Sequence, residues 1–396
     1  MTFFYRCYHF ILQCIISFIG VPNPRLYTGY GGFEQWLETW NNKKALLVVS
    51  DSTLFNLGLL EHTLALLDKH KITWHLYIDV SPNPTIDNVE NGLSLYHEKQ
   101  CAGLVAIGGG SVLDCAKMIA VRSVKPKKSI KQLKGLFKVL KKLPPLCAIP
   151  TTAGTGSETT VAAVINDPKA QTKYAITDFC LVPSDAVLIA PLTQSVPNFI
   201  TAATGVDALT HAIESYIGKI GTDFSNQKAL NAIKLIFNNL PTAFNHGDNL
   251  VARENMLLAS FYAGQAFTRA SVGYVHAIAH QFGARYGTAH GLANSVLLMP
   301  ILTFYGEKIY PQLAAIGDFC ELTHAEQSTQ EKAKIVLKTI EQLLLELKIP
   351  NKLAEIRATD VGELATAAMK EAHPDYPVPA FMGHTECEAI ISQLTE

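Results

Sequence analysis

Apolar positions follow two different rhythms along this chain. Between residues 45 and 190, short continuous apolar runs alternate with amphipathic stretches. Ala45–Val49 is read as a strand, and Leu54–Lys69 follows with helical spacing. Ile72–Val80 reads as a second strand, Val89–Lys99 as a helix, Gly103–Ile107 as a third strand and Leu113–Val121 as the next helix. Leu146–Ile149 reads as a further strand. Strands and helices alternating at this spacing predict βαβ units and a mainly parallel sheet. After residue 197 the strand signals stop. Ala202–Ile217, Asn226–Leu240, Ala252–Thr268, Val275–Ala284, Glu331–Leu347 and Leu364–Ala372 all repeat apolar residues at helical spacing. The expected organisation is a helical extension over 1–20, an α/β domain over 21–196 and an all-α domain over 197–396, with prolines 191 and 197 flanking the boundary.

Two segments stand apart from this pattern. Residues 1–20 are strongly apolar, yet too short for a confident membrane span and followed by no small-residue cleavage site. Arg6, His9, Gln13 and Ser17 recur by three, four and four, hence along one stripe of a helix. The segment is read as a mostly buried amphipathic helix docked on the body or on another subunit, with peripheral membrane contact as the alternative. Residues 125–142 hold eight lysines and no acidic residue. Ile130, Leu133, Phe137 and Leu140 would share one face of a helix there, so a solvated surface helix is expected.

Composition narrows the class. Of 396 residues, 48% are hydrophobic and only 17% charged, which excludes a disordered chain. A formal net charge of −1 argues against a dedicated nucleic-acid binder. Eight dispersed cysteines with no CxxC pair fit neither a zinc ribbon nor a disulfide framework, so reduced thiols in the cytoplasm are expected.

Candidate chemistry concentrates at two places. In the helical half, Asp207 and His211 lie four residues apart, His276 and His280 repeat that spacing, and His290 follows a turn. Residues at i and i+4 share a helix face, so a carboxylate and several imidazoles can converge. That donor set suits Fe(II), Zn(II), Mn(II), Co(II) or Ni(II), and spacing alone leaves open whether His276 or His280 is the ligand. In the α/β half, Gly108-Gly109-Gly110-Ser111 closes a strand and opens a helix, where backbone N–H groups can cradle phosphate. Thr151-Thr152-Ala153-Gly154-Thr155-Gly156-Ser157 forms a second hydroxyl-rich loop at a strand end. Asp51 follows the first strand, where a carboxylate can hold ribose hydroxyls and repel a 2′-phosphate, or simply cap the next helix.

The stretches GGGSVLDCAK (108–117), TTAGTGSE (151–158), TGVDALTHAIE (204–214) and VHAIAHQFGARYGTAHGLAN (275–294) together resemble the iron-containing (group III) alcohol dehydrogenase family, in register from about residue 21 to residue 300. The resemblance implies a Rossmann-like dinucleotide-binding domain, a helical metal-binding domain, NAD(H) and Fe2+ (with Zn2+ as the alternative ion) in the cleft between them, and a homodimer or higher homo-oligomer. It places the metal ligands at Asp207, His211, His276 and His290, which makes His280 a catalytic histidine near the nicotinamide and ribose. It assigns cofactor contacts to Asp51, Asn83, Gly109, Gly110, Ser111, Asp114, Thr151, Thr152, Thr155 and Lys173. Phe267 and Ala162 would line the substrate pocket.

Some relatives acting on diols carry Asn where this chain has Ala162, so Ala162, Ala163 and Phe267 point to an apolar, medium-chain primary alcohol or its aldehyde. The tail, with Pro374-Asp-Tyr-Pro-Val-Pro379, departs from the family's ending. Two other readings compete: a lyase resembling dehydroquinate synthase, which would need more basic residues than 199–294 offers, and a membrane-associated scaffold with a vestigial site.

Overall fold

A computed structural model describes residues 2–40, 44–170 and 172–395, which fall into two units, Pro22–Ser195 and Met1–Val21 together with Val196–Glu396. The first unit holds the strands β1 (Arg25–Thr28), β2 (Leu46–Val49), β3 (Trp74–Tyr77), β4 (Gly103–Gly108), β5 (Gly135–Leu136), β6 (Leu146–Pro150), β7 (Ala162–Asp167), β8 (Thr172–Thr177) and β9 (Asp185–Leu188). Six of them form one sheet in the order β1-β9-β6-β4-β2-β3, every pair parallel. The continuous apolar runs are explained by burial on both faces. Leu47, Val49, Leu104 and Ala106 enter one core, while their alternate neighbours Leu46, Val48, Val105 and Ile107 enter the other. Each fully buried aliphatic side chain of this kind contributes about 1.5–3 kcal/mol. The chain runs from β2 outward to β3 and returns to β4 on the other side of β2, so the sheet reverses its winding between β2 and β4. Asp51 and the glycine turn follow these two strands, at the switch point where doubly wound sheets take their ligands.

Several elements differ from expectation. The stretch 54–69 is split into helices Ser52–Asn56 and Glu61–Lys69 by a turn. The edge strand β1 and the antiparallel β7–β8 pair carry no clear strand signal, since their exposed positions break the apolar pattern. The lysine-rich segment is not a helix over 125–142. Helix stops after Ile130–Leu133, the chain enters β5, and Phe137 and Leu140 take left-handed backbone conformations (φ 53° and 44°). The Asp178 carboxylate captures the amides of Val139 and Leu140 at 3.1 and 2.9 Å, and the Lys141 ammonium donates to the Val124 carbonyl. Those tertiary bonds outcompete a helix whose lysines would repel one another.

The second unit is helical. Asn198–Ile217, Asp223–Asn245 and Leu250–Ala270 pack together, and Tyr274–Tyr286 and His290–Tyr305 follow. Thr222, Asn249 and Ser328 cap their helices through side-chain oxygens, which satisfies amide donors that helix starts leave unpaired. Gly291 permits the close crossing that matters most: a Cβ there would lie 2.5 Å from the Ala203 carbonyl.

The amino-terminal helix Thr2–Ile19 docks on this unit as an amphipathic helix, but its described side chains are mostly exposed or half-buried, not mostly buried as expected. Its polar stripe faces inward: Arg6, His9 and Gln13 bond to main-chain carbonyls of Val378, Pro374 and Gly221. Phe3, Phe4, Phe10 and Ile11 are exposed instead. Ser17, the fourth member of the stripe, has its side chain outside the described residues. Among the described residues, no helix is long and apolar enough to cross a membrane.

Candidate metal centre and cofactor loops

Three helices bring the acidic and imidazole donors together. Asp207 and His211 project from the middle of Asn198–Ile217, His276 from the first turn of Tyr274–Tyr286, and His290 starts the helix His290–Tyr305. Their ligand atoms all lie within 4.8 Å of one another, with three of the four residues buried. His211 stacks on His276 at 4.4 Å between ring centroids, and Asp207 Oδ1 stands 3.8 Å from His276 Nε2 and 3.5 Å from His290 Nε2.

This cluster suits a cation. The Asn294 amide nitrogen lies 2.6 Å from Asp207 Oδ1, 3.2 Å from His276 Nε2 and 3.1 Å from His290 Nε2. One amide has two protons for three convergent acceptors, so the spot is acceptor-rich and a metal ion would satisfy it better. Burial, followed by the neighbouring imidazoles, holds His276 well below the ordinary histidine range, keeping it neutral as a ligand must be.

Glu214 supports the cluster from behind. Its Oε2 lies 2.6 Å from His276 Nδ1, which directs Nε2 towards Asp207. It also accepts the Gly273 and Val275 amides, both at 2.8 Å. Burial raises the Glu214 carboxyl to about 7 despite these donors. A carboxylate behind a ligating imidazole fixes the ring's orientation and tautomer. Glu214 lies seven residues after Asp207 within one quoted motif, a spacing that could have identified it.

His280 sits beside the cluster, not within it. Its ring stacks on His290 at 5.3 Å, and its Nδ1 lies 2.5 Å from Glu371 Oε1. Glu371 also accepts Tyr376 Oη and Gln281 Nε2, both at 2.8 Å. Burial alone would raise the Glu371 carboxyl, but the bonds from His280, Tyr376 and Gln281 outweigh it and hold it below the ordinary range. No motif flags Glu371. Phe267 stacks on His211 at 4.2 Å and lays an aromatic face on the cluster.

In the α/β unit the expected cofactor residues gather in three contacts. Thr151 donates its amide to the Gly108 carbonyl at 3.1 Å. A Cβ on Gly110 would meet the Thr155 side chain at 2.9 Å, so the glycine turn and the threonine loop can touch only because that position is bare. Asn83 donates its amide to Ser111 Oγ at 3.2 Å and receives Lys173 Nζ on its Oδ1 at 2.9 Å. Gly109 and Thr152 lie within the same pair of turns. Asp114 is tied to Ser157 Oγ and the Val164 amide at 2.7 and 2.9 Å, and so joins the helix after the glycine turn to the threonine loop and to β7. Lys117, fully buried, donates to Thr160 and to the Ala162 carbonyl, both within 3.1 Å. Ala162 therefore serves as an acceptor at the start of β7. Asp51 Oδ1 accepts the Leu54 amide at 3.0 Å and caps the helix after β2.

Comparison with known proteins assigns the class. Residues 23–190 match the model for iron-containing alcohol dehydrogenase, and residues 201–395 match the model for the carboxy-terminal part of the same family. Alcohol dehydrogenase 4 of Schizosaccharomyces pombe is 40% identical over 331 residues, 83% of this chain and 77% of that protein. The 1,3-propanediol dehydrogenase of Klebsiella pneumoniae is 37% identical over 374 residues, 93% of this chain and 94% of that protein. A crystal structure of a 1,3-propanediol oxidoreductase superposes with a TM-score of 0.88 at 33% identity, covering 95% of this chain and 99% of that one. The chain belongs to the iron-containing alcohol dehydrogenase family. It is an oxidoreductase that interconverts alcohols and aldehydes with NAD(H) and Fe2+. The lyase and vestigial-scaffold readings are not favoured, because the family matches span both units and all four donors are intact.

Proposed function

We propose that Asp207, His211, His276 and His290 hold the iron and that His280 carries the proton in the oxidation of an apolar, medium-chain primary alcohol. The observation that carries the reading is the convergence of one carboxylate and three imidazoles within 4.8 Å. When bound, the iron supplies Lewis acidity to the substrate oxygen and NAD(H) takes or gives the hydride. The chain's own residues do the rest. Glu214 orients His276. Glu371 fixes the His280 ring through Nδ1, and Nε2 is then the nitrogen that takes up and releases the proton. Phe267 supplies an apolar wall beside His211. On the cofactor side, Asp51 would meet the ribose, and the glycine and threonine turns, with Asn83 and Lys173, would hold the pyrophosphate. The reading includes a homo-oligomer in the cytoplasm, a setting supported by eight free cysteines.

His280→Ala separates this assignment from the alternative in which His280 is a ligand. It should keep its iron and lose roughly 10²–10⁴-fold in turnover. Iron-free variant protein, prepared beside loaded wild type, would overturn the role. In the same assay, a diol turned over faster than butanol or hexanol would overturn the chain-length reading.

A further inference from the structure

The amino-terminal helix and the proline-rich tail segment, both left unused by the reaction, meet in the helical unit. Pro374, Pro377 and Pro379 lack amide protons, so this stretch cannot hold itself by a regular hydrogen-bond ladder. Its carbonyls are held from outside. The Arg6 guanidinium donates to the Val378 carbonyl at 2.8 Å and to the Pro379 carbonyl at 3.1 Å, and lies over the Phe381 ring at 4.5 Å. His9, 2% exposed, places Nε2 2.6 Å from the Pro374 carbonyl; a carbonyl only accepts, so Nε2 donates. Tyr8 adds a hydroxyl bond to Asp375 at 3.2 Å, and the Tyr5 ring packs on His373 and Phe381.

The other side of the same segment reaches the active-site histidines. Tyr376 donates to Glu371, the carboxylate that fixes His280. The Met382 amide donates to Tyr274 Oη at 2.9 Å, and the same hydroxyl is hydrogen-bonded to His373 Nε2 at 2.6 Å. Tyr274 is the first residue of the helix that presents both His276 and His280.

We propose that the amino-terminal helix is a clamp on segment 371–382, and that Arg6 and His9 are positioning residues which, through that segment, fix His280 and the start of its helix. The inference rests on His280 as proton carrier for its effect on rate, but not for the clamp itself.

The test uses the full-length, iron-loaded enzyme with Arg6→Ala, Arg6→Lys and, on the exposed side of the same helix, Phe4→Ser. Hydrogen exchange reads the clamp without reference to activity. In Arg6→Ala, amides of 371–382 and 274–277 should exchange at least about tenfold faster, and kcat should fall roughly 10–10²-fold, the range expected for a small misplacement of a reacting group. KM for NAD should stay unchanged. Arg6→Lys, which keeps a donor, should recover part of both losses, and Phe4→Ser should match wild type. Wild-type exchange over 371–382 in Arg6→Ala would overturn the clamp whatever the rate. Faster exchange with wild-type kcat would overturn the positioning role if His280→Ala is slow; if His280→Ala is also at wild-type rate, the failure lies in the proton-carrier reading and the exchange data alone judge the clamp. Should Arg6→Ala not fold, His9→Leu removes the other donor at similar bulk and carries the same expectations.

Discussion

In the helical unit the candidate chemistry rests on side chains set into long helices, and Asp207, His211 and His276 are at most 4% exposed. In the α/β unit it rests on turns after β2, β4 and β6, where backbone amides and short hydroxyl side chains do the work and most positions are partly exposed. Placement in the first region depends on buried charge and on carboxylates behind imidazoles. In the second it depends on how closely two turns approach. A change in the helical cluster therefore leaves buried donors or acceptors without partners, whereas a change in the turns leaves groups that water can reach.

The largest effect that sharpens this contrast is expected at Glu214. Glu214→Ala removes the carboxylate behind His276 and strands the Gly273 and Val275 amides, each at a cost of about 1–3 kcal/mol. Ferrous iron affinity, measured by competition with a chelator, should fall roughly 10–100-fold. Unchanged affinity would show that the carboxylate does not set the ligand's orientation.

The contrast also explains what could be read from the sequence. The cluster of Asp207, His211, His276, His280 and His290 was legible because imidazoles are conspicuous on otherwise apolar helices and i, i+4 spacing fixes a shared face, but spacing left His276 and His280 undivided and only the family resemblance chose between them. Glu214 sat inside a recognised motif but was masked by its ordinary helical surroundings. Glu371 was illegible, since it arrives from a helix 91 residues beyond His280 with no local pattern. In the α/β unit, β2 and β4 were plain because both faces are buried, while β1 was hidden by exposure of three of its four residues. The lysine-rich segment misled because periodicity reports only what a helix would bury, and not that Asp178 is placed to capture its amides. The amino-terminal polar stripe was legible from its spacing, but its partners were not, because the main-chain carbonyls that take its donors lie more than 200 residues away in the chain.

A smaller effect is expected in the turns. Asp51→Gly should cost only a few tenths of a kcal/mol as a helix cap. It should also shift the ratio of kcat/KM for NAD over NADP towards NADP by roughly tenfold, the scale of one charge–charge repulsion near a surface. An unchanged ratio would place the ribose elsewhere and leave Asp51 as a cap alone.

The central claim, that these four residues hold the iron on which alcohol oxidation depends, is tested most directly by NADH absorbance with iron content measured on the same samples. Wild-type enzyme stripped by a chelator should lose both iron and NADH formation from a primary alcohol, and anaerobic ferrous iron should restore both. His276→Ala should retain no iron and recover nothing. Wild-type rates from the stripped enzyme, or full iron occupancy in His276→Ala, would contradict the account.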